Sequence, residues 1–190
     1  MSPDVAAARV VLRELHSGDA ETIYAYRADA GVSRYQGWTP GSVDEVRAFI
    51  GGLSAVTAYA PGSWHQLGIE LCSNGALIGD CGVHVLAGNG QAEFGITLAP
   101  AFHGHGYAAE TLRALLALLF GRLGMHRVFA SVDPRNARSI VLMERLGFRR
   151  EAHFIESLWF KEAWADDLIF ALLEREWRSG AAPRAQEQLT

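Results

Sequence analysis

Apolar and polar positions alternate over residues 9–15 (Arg-Val-Val-Leu-Arg-Glu-Leu), the period-two pattern of a half-buried strand. Ser17-Gly18-Asp19 then supplies a cap for a helix through about Ala30. A loop bearing aromatics follows, and Ser42 or Asp44 opens a second helix that runs to about Leu53. Trp64 to Leu71 and Ala76 to Val85 form two strands around Ser73-Asn74-Gly75, a strong hairpin signal. Gln91 to Leu98 is the third strand of that meander, stopped by Pro100. Beyond it, leucines at 112, 115, 116, 119 and 123 keep the spacing of one buried helical face. His126 to Val132 is a β-branched strand ended by Asp133-Pro134, and Asn136 or Ser139 begins a short helix that Gly147 closes. Residues 149–160 and 164–174 alternate as a final hairpin. The predicted order is β-α-α-β-β-β-α-β-α-β-β, which makes the fold class α/β: a mixed central sheet flanked by helices.

At 190 residues and roughly 150 per domain, one domain is expected. It is assigned to residues 1–178, with 179–190 as a disordered tail that has little to bury. The charge is −4, from 17 basic and 21 acidic residues, which argues against a nucleic-acid partner. Lys161 is the single lysine among the basic residues. The N-terminus has Asp4 and no long apolar stretch, and the longest apolar run, Ala114 to Phe120, is too short to cross a bilayer. A cytoplasmic protein with no membrane partner is therefore expected. Cys72 and Cys81 are too few for a disulfide scaffold; the hairpin places Cys72 opposite Leu77 and Cys81 near Gly68, too far apart to bond.

The stretch Leu98 to Ala108 carries the chemistry. A strand ends, a proline removes a donor, and glycines lead straight into a helix. Glycines let bare N–H groups approach a ligand, and the helix start adds unpaired N–H groups and a positive dipole end. That is a phosphate site which needs no basic side chain. The string from Gly104 to Ala109 also fits the dinucleotide fingerprint G-x-G-x-x-A, but the antiparallel meander before it and the short βα stretch after it do not build a doubly wound sheet.

From Glu93 to Phe148 the chain resembles the GCN5-related N-acetyltransferases (GNAT), in particular the RimJ/RimL-like branch of ribosomal-protein N-terminal acetyltransferases. The family pattern of strand, proline, then Q/R-x-x-G-x-G/A appears as His103-Gly104-His105-Gly106-Tyr107-Ala108, followed by Ala109-Glu110. The second motif, N-x-x-S and a helix ending in E-x-L-G-F, appears as Asn136 to Ser139 and Glu144 to Phe148. Arg34 to Trp38 and the pair Asp166-Asp167 are similar to the same branch. His103 is a departure, because the family usually has Gln or Arg there.

The resemblance implies a transferase that moves acetyl from acetyl-coenzyme A, as co-substrate, to a primary amine by direct attack. The acceptor is a protein N-terminus or a small molecule, including an antibiotic. Ile96, Thr97 and Leu98 would pair with the pantetheine arm and help hold the acetyl carbonyl. His103, Gly104, His105, Gly106, Tyr107 and Ala108 would surround the pyrophosphate. Asn136 would bond the arm, and Ser139 would lie near the thiol and return its proton, unless it only caps its helix. For the base, Glu93 and Glu156 stand at strand positions that can face the acceptor, with a surface or paired carboxylate, or deprotonation through water, as the alternatives. Ser131 and Met143 replace a glutamate and a tyrosine found in some members, which keeps open a non-catalytic acyl-coenzyme A sensor. No metal is expected, since His103, His105, His84 and His126 lack ligand spacing. Asp167 is assigned a structural role. Core or interface packing competes with an acceptor-pocket role for Tyr35, Trp38, Trp64, Trp159, Phe160 and Trp164. Arg135 and Arg138 flank Asn136 and face either phosphates or solvent. The family also implies a homodimer.

Overall fold

The computed structural model describes residues 5–53, 55 and 57–180. The strands are β1 (Val5–Ala6), β2 (Val10–Glu14), β3 (Trp64–Leu71), β4 (Leu77–Val85), β5 (Gln91–Leu98), β6 (Arg127–Val132), β7 (Arg149–Phe160) and β8 (Ala163–Leu173). They form one sheet in the order β1-β2-β3-β4-β5-β6-β8-β7. Every neighbouring pair is antiparallel except β5 and β6. The helices are α1 (Ala20–Arg27), α2 (Ala30–Ser33), α3 (Val43–Leu53), α4 (Tyr107–Leu116), α5 (Ala137–Arg145) and α6 (Glu174–Ser179). A wider π-helical stretch, Ala117–Arg122, prolongs α4.

The expected mixed sheet is present, with local differences that have physical causes. The first helix stops early because the Asp29 side chain accepts from the Gly31 and Val32 amides and caps a separate turn, α2. Strand β1 is too short to alternate, and α6 follows β8 directly. The meander hairpin runs one rung off the expected register. A bulge beside Ile69 sets Glu70 against Leu77 and Leu67 against Cys81, so Cys81 is not opposite Gly68 and Cys72 lies beyond the ladder. Both thiols are free. Gly180 ends α6, and the rest of the expected tail, 181–190, lies outside the described residues.

One sheet face buries the main core. Leu112, Leu115, Leu116 and Leu119 of the α4 segment pack on Val10, Leu12, Leu67, Val83, Phe94, Val128 and Phe170. The other face is divided. Over β3 and β4 it is covered by α1 and α3, through Ala20, Ile23, Tyr26, Val46 and Ile50 against Leu77. Beneath α1, Asp80 accepts from Tyr26 Oη at 2.6 Å, from the Arg27 guanidinium and from Gln66. Over β5 and β6 the same face carries Glu93, Ser131 and, on neighbouring β8, Asp167.

The sheet forks between β5 and β6. Their pairing begins at Gln91 with Arg127 and ends at Glu93 with Phe129. Strand β6 stays with β8 as far as Val132 opposite Leu168, while β5 stays with β4 as far as Leu98 opposite Gly79. Each of the two strands that part is held by its outer neighbour, so a slot opens beyond Glu93.

Candidate active site

Strand β5 forms one wall of the slot. The Leu86 amide donates to Gln91 O and the Ala99 amide to Ile78 O, which fixes the alternation of its main chain. The N–H and C=O of Thr97 therefore turn to β4, whereas those of Ile96 and Leu98 turn to the slot. Of the three expected pantetheine contacts, Ile96 and Leu98 have main-chain groups facing the slot and Thr97 does not. Gly79 allows this close β4–β5 approach, because a Cβ there would come within 2.2 Å of Thr97 O.

Past Pro100 the chain enters the glycine loop. Gly104 and Gly106 have φ of 80° and 83°, a region only glycine enters without strain. Gly106 is the N-cap of α4 and offers no side chain. The first bond of the helix is Glu110 N–H to Gly106 O at 3.1 Å, so the amides of Gly106, Tyr107, Ala108 and Ala109 have no acceptor within the helix. His105 and Gly106 are exposed and Ala108 is half-buried. The loop and the start of α4 thus bring amides without helical acceptors to an exposed surface.

Arg9, just before β2, clasps the loop from behind. Its Nε donates to Glu110 at 2.7 Å, its NH1 to His105 O at 3.2 Å, and its guanidinium lies 4.6 Å from the Tyr107 ring centre. Burial pushes the Glu110 carboxyl up, but the Arg9 hydrogen bonds outweigh it and hold the carboxyl below its usual range. Sequence reasoning missed this pair, since a separation of 101 residues leaves no periodic trace.

His103 spans the mouth of the slot. Nε2 lies 2.8 Å from Leu98 O, and Nδ1 lies 3.1 Å from Arg138 NH1 on α5. Asn136 caps α5, its Oδ1 accepting the Ser139 amide at 3.2 Å. The helix thus begins at Asn136, and Ser139 is a half-buried first-turn residue rather than the cap. Arg135 is neutralised by Asp133, which holds its Nε at 2.9 Å.

Glu93 occupies the last rung before the fork. Burial raises its carboxyl above the usual range; His84 opposes that shift and Asp167 adds to it. His84 Nδ1 is 4.0 Å from the Glu93 carboxylate, and Trp64 stacks on His84 at 5.3 Å. Asp167 accepts from Ser131 Oγ at 2.6 Å. Glu156 is elsewhere: it is exposed in a bulge of β7, three strands across from β5, with its amide on Asp166 at 2.9 Å. The expected aromatic group is dispersed: Trp38 packs on Phe49, while Trp159 and Trp164 pair on the outer hairpin, each 60% exposed.

The model of the acetyltransferase (GNAT) domain matches residues 9–149. The chain belongs to the GNAT acetyltransferase family. GNAT acetyltransferases use acetyl-coenzyme A as co-substrate, and this chain is an acyltransferase of that kind. It is similar to an uncharacterized N-acetyltransferase, YnaD, of Bacillus subtilis, at 27% identity over 91% of this chain and 98% of that one. It is also 27% identical to the [ribosomal protein uS5]-alanine N-acetyltransferase of Escherichia coli, over 90% of this chain and 91% of that one. Among solved structures, a GNAT acetyltransferase from Bacillus anthracis superposes with a TM-score of 0.81 at 26% identity, covering 92% of this chain and all of that one. No helix among the described residues is long and apolar enough to cross a membrane.

Proposed function

We propose that this GNAT chain moves acetyl from acetyl-coenzyme A to a primary amine by direct attack, and that the amine is the α-amino group of a protein N-terminus. The observation that carries the reading is the fork beyond Glu93, which opens beside a cradle of amides without helical acceptors. A Cβ at Gly104 would meet no atom within 4 Å, so the loop's outer surface is open to a phosphate. The residues present fit the co-substrate.

Bound acetyl-coenzyme A supplies an acyl group activated as a thioester. The amides from Gly104 to Ala108, with the start of α4, hold the pyrophosphate. Ile96 pairs with the pantetheine arm, and the Nδ2 donors of Asn136 remain for it once Oδ1 has capped α5. The Leu98 N–H is the donor for the acetyl oxygen as that oxygen gains charge. Glu93 accepts the amine proton, its raised carboxyl being a better base at neutral pH than an ordinary one. Ser139 returns a proton to the departing thiolate. The N-terminal acceptor draws support from the uS5-alanine relative, which is matched over nearly its full length.

The test is thiol release from acetyl-coenzyme A with short peptides beginning in Ala or Ser, their N-acetylated forms as blanks, and polyamines and aminoglycosides as competing acceptors. Release with free peptides alone supports the reading. Release with small amines alone moves the acceptor to a small molecule, and coenzyme A binding without release under any amine makes the chain a sensor. Gly106→Val places a β-branched side chain at a φ of 83° and should weaken coenzyme A binding at least tenfold, about 1.4 kcal/mol, with the circular dichroism spectrum retained.

A further inference from the structure

The imidazole of His103 joins the two walls of the slot, and its hydrogen bonds fix its state. A guanidinium only donates, so Nδ1 must accept from Arg138, and Nε2 must carry the hydrogen given to Leu98 O. The ring is neutral and leaves the charge of Arg138 uncompensated. Arg135, three residues earlier, has its charge met by Asp133. Of the two arginines beside Asn136, one is therefore bound to a carboxylate. The other is aimed across the slot at the first residue of the cradle, with its remaining N–H donors in an exposed position.

We propose that Arg138 is a coenzyme A-binding residue: held by neutral His103, it supplies from α5 the cation that meets the pyrophosphate at the slot mouth. The inference rests on the acetyl-coenzyme A reading above. It also gives the histidine at position 103 a role in the site. A histidine there is too short to meet a phosphate and hold Leu98 O together, but it anchors an arginine that reaches from the opposite wall. Arginine suits the task, because its planar fork can keep one N–H on the imidazole and give others to phosphate oxygens.

The experiment measures, by titration calorimetry, binding of coenzyme A and of pantetheine, which has the arm and thiol but no phosphate. Arg138→Met should weaken coenzyme A binding about tenfold and leave pantetheine binding unchanged, and the salt dependence of coenzyme A binding should become shallower. The double variant His103→Arg/Arg138→Met returns a guanidinium to the slot from the loop side and should recover most of the lost affinity. Equal weakening of both ligands by Arg138→Met would show a merely structural role and overturn the proposal, as would coenzyme A affinity unchanged from wild type. A wild-type protein that binds no coenzyme A overturns the acetyl-coenzyme A reading itself, and this proposal with it.

Discussion

Glu93 is placed at a cost. Burial and the Asp167 charge both disfavour its ionised form, and His84 offsets them only in part. The folded protein therefore holds this proton more tightly than the unfolded chain, whose value is near 4.3. Stability falls as pH rises through the interval between the two values, and the cost is fully present only above it. Glu93→Gln should accordingly raise the melting temperature at pH 7 while lowering kcat/KM by about a hundredfold, the lower range for loss of a general base. Thermal melts at pH 5 and pH 7 check the sign, because the gain should shrink at the lower pH. The Arg9–Glu110 pair makes the opposite case. Arg9→Met leaves a carboxylate one turn from the proposed phosphate cradle, so coenzyme A affinity should fall, and Arg9→Met/Glu110→Gln should recover part of it in the same binding assay. At this scale Gly104, Gly106 and Asn136 were legible in the sequence, because a local backbone need dictates each. The partners of Arg9, His103 and Arg138 were not, since the fold alone brings them together.

Secondary-structure elements were legible wherever one face is buried and the other is not. The α4 leucines and the meander alternation are of that kind. Boundaries escaped where a single side chain decides: Asp29 splits the first helix, and one bulge shifts the β3–β4 ladder. The seating of α1 on the sheet depends on a buried polar cluster rather than on apolar pattern alone. Asp80 is 2% exposed and receives Tyr26, Arg27 and Gln66. Burial and the Asp80 charge push the Tyr26 hydroxyl far up, so it stays protonated and donates at all working pH values. Removing one partner strands a buried charge, and Asp80→Ala should cost about 3–5 kcal/mol. That corresponds to a fall in melting temperature on the order of 10 °C. An isosteric Asp80→Asn, which keeps acceptor and shape but not charge, still strands Arg27 and should fall between wild type and Asp80→Ala in the same melts.

For the molecule as a whole, the fork needs more than its two strands. The segment from the end of α2 to Thr39 reaches the β6 side of it twice: Tyr35 Oη donates to Arg135 O at 3.2 Å, and Lys161 at the tip of the β7–β8 hairpin donates to Ser33 O at 2.6 Å and Thr39 Oγ1 at 3.2 Å. The chain's single lysine thus ties the outer hairpin across to the α1–α3 side, and under the proposed reading this contact borders the acceptor. The tip holds two non-glycine residues in left-handed backbone. Lys161 and Glu162 sit at φ of 50° and 64° between β7 and β8, the two-residue turn that favours Asn-Gly. Neither residue relieves the left-handed backbone locally, so the sequence pattern showed a hairpin but not what its tip touches. Turn stability and the tie to Ser33 therefore pull in opposite directions. Lys161→Asn/Glu162→Gly should raise the melting temperature by roughly 2–4 °C, as turn strain of about 1 kcal/mol is released. The same variant loses the tie to Ser33, so KM for the acceptor peptide should rise about fivefold, the loss of roughly 1 kcal/mol, with KM for acetyl-coenzyme A unchanged. A variant that melts higher and keeps its acceptor KM would show that the hairpin tip takes no part in closing the face.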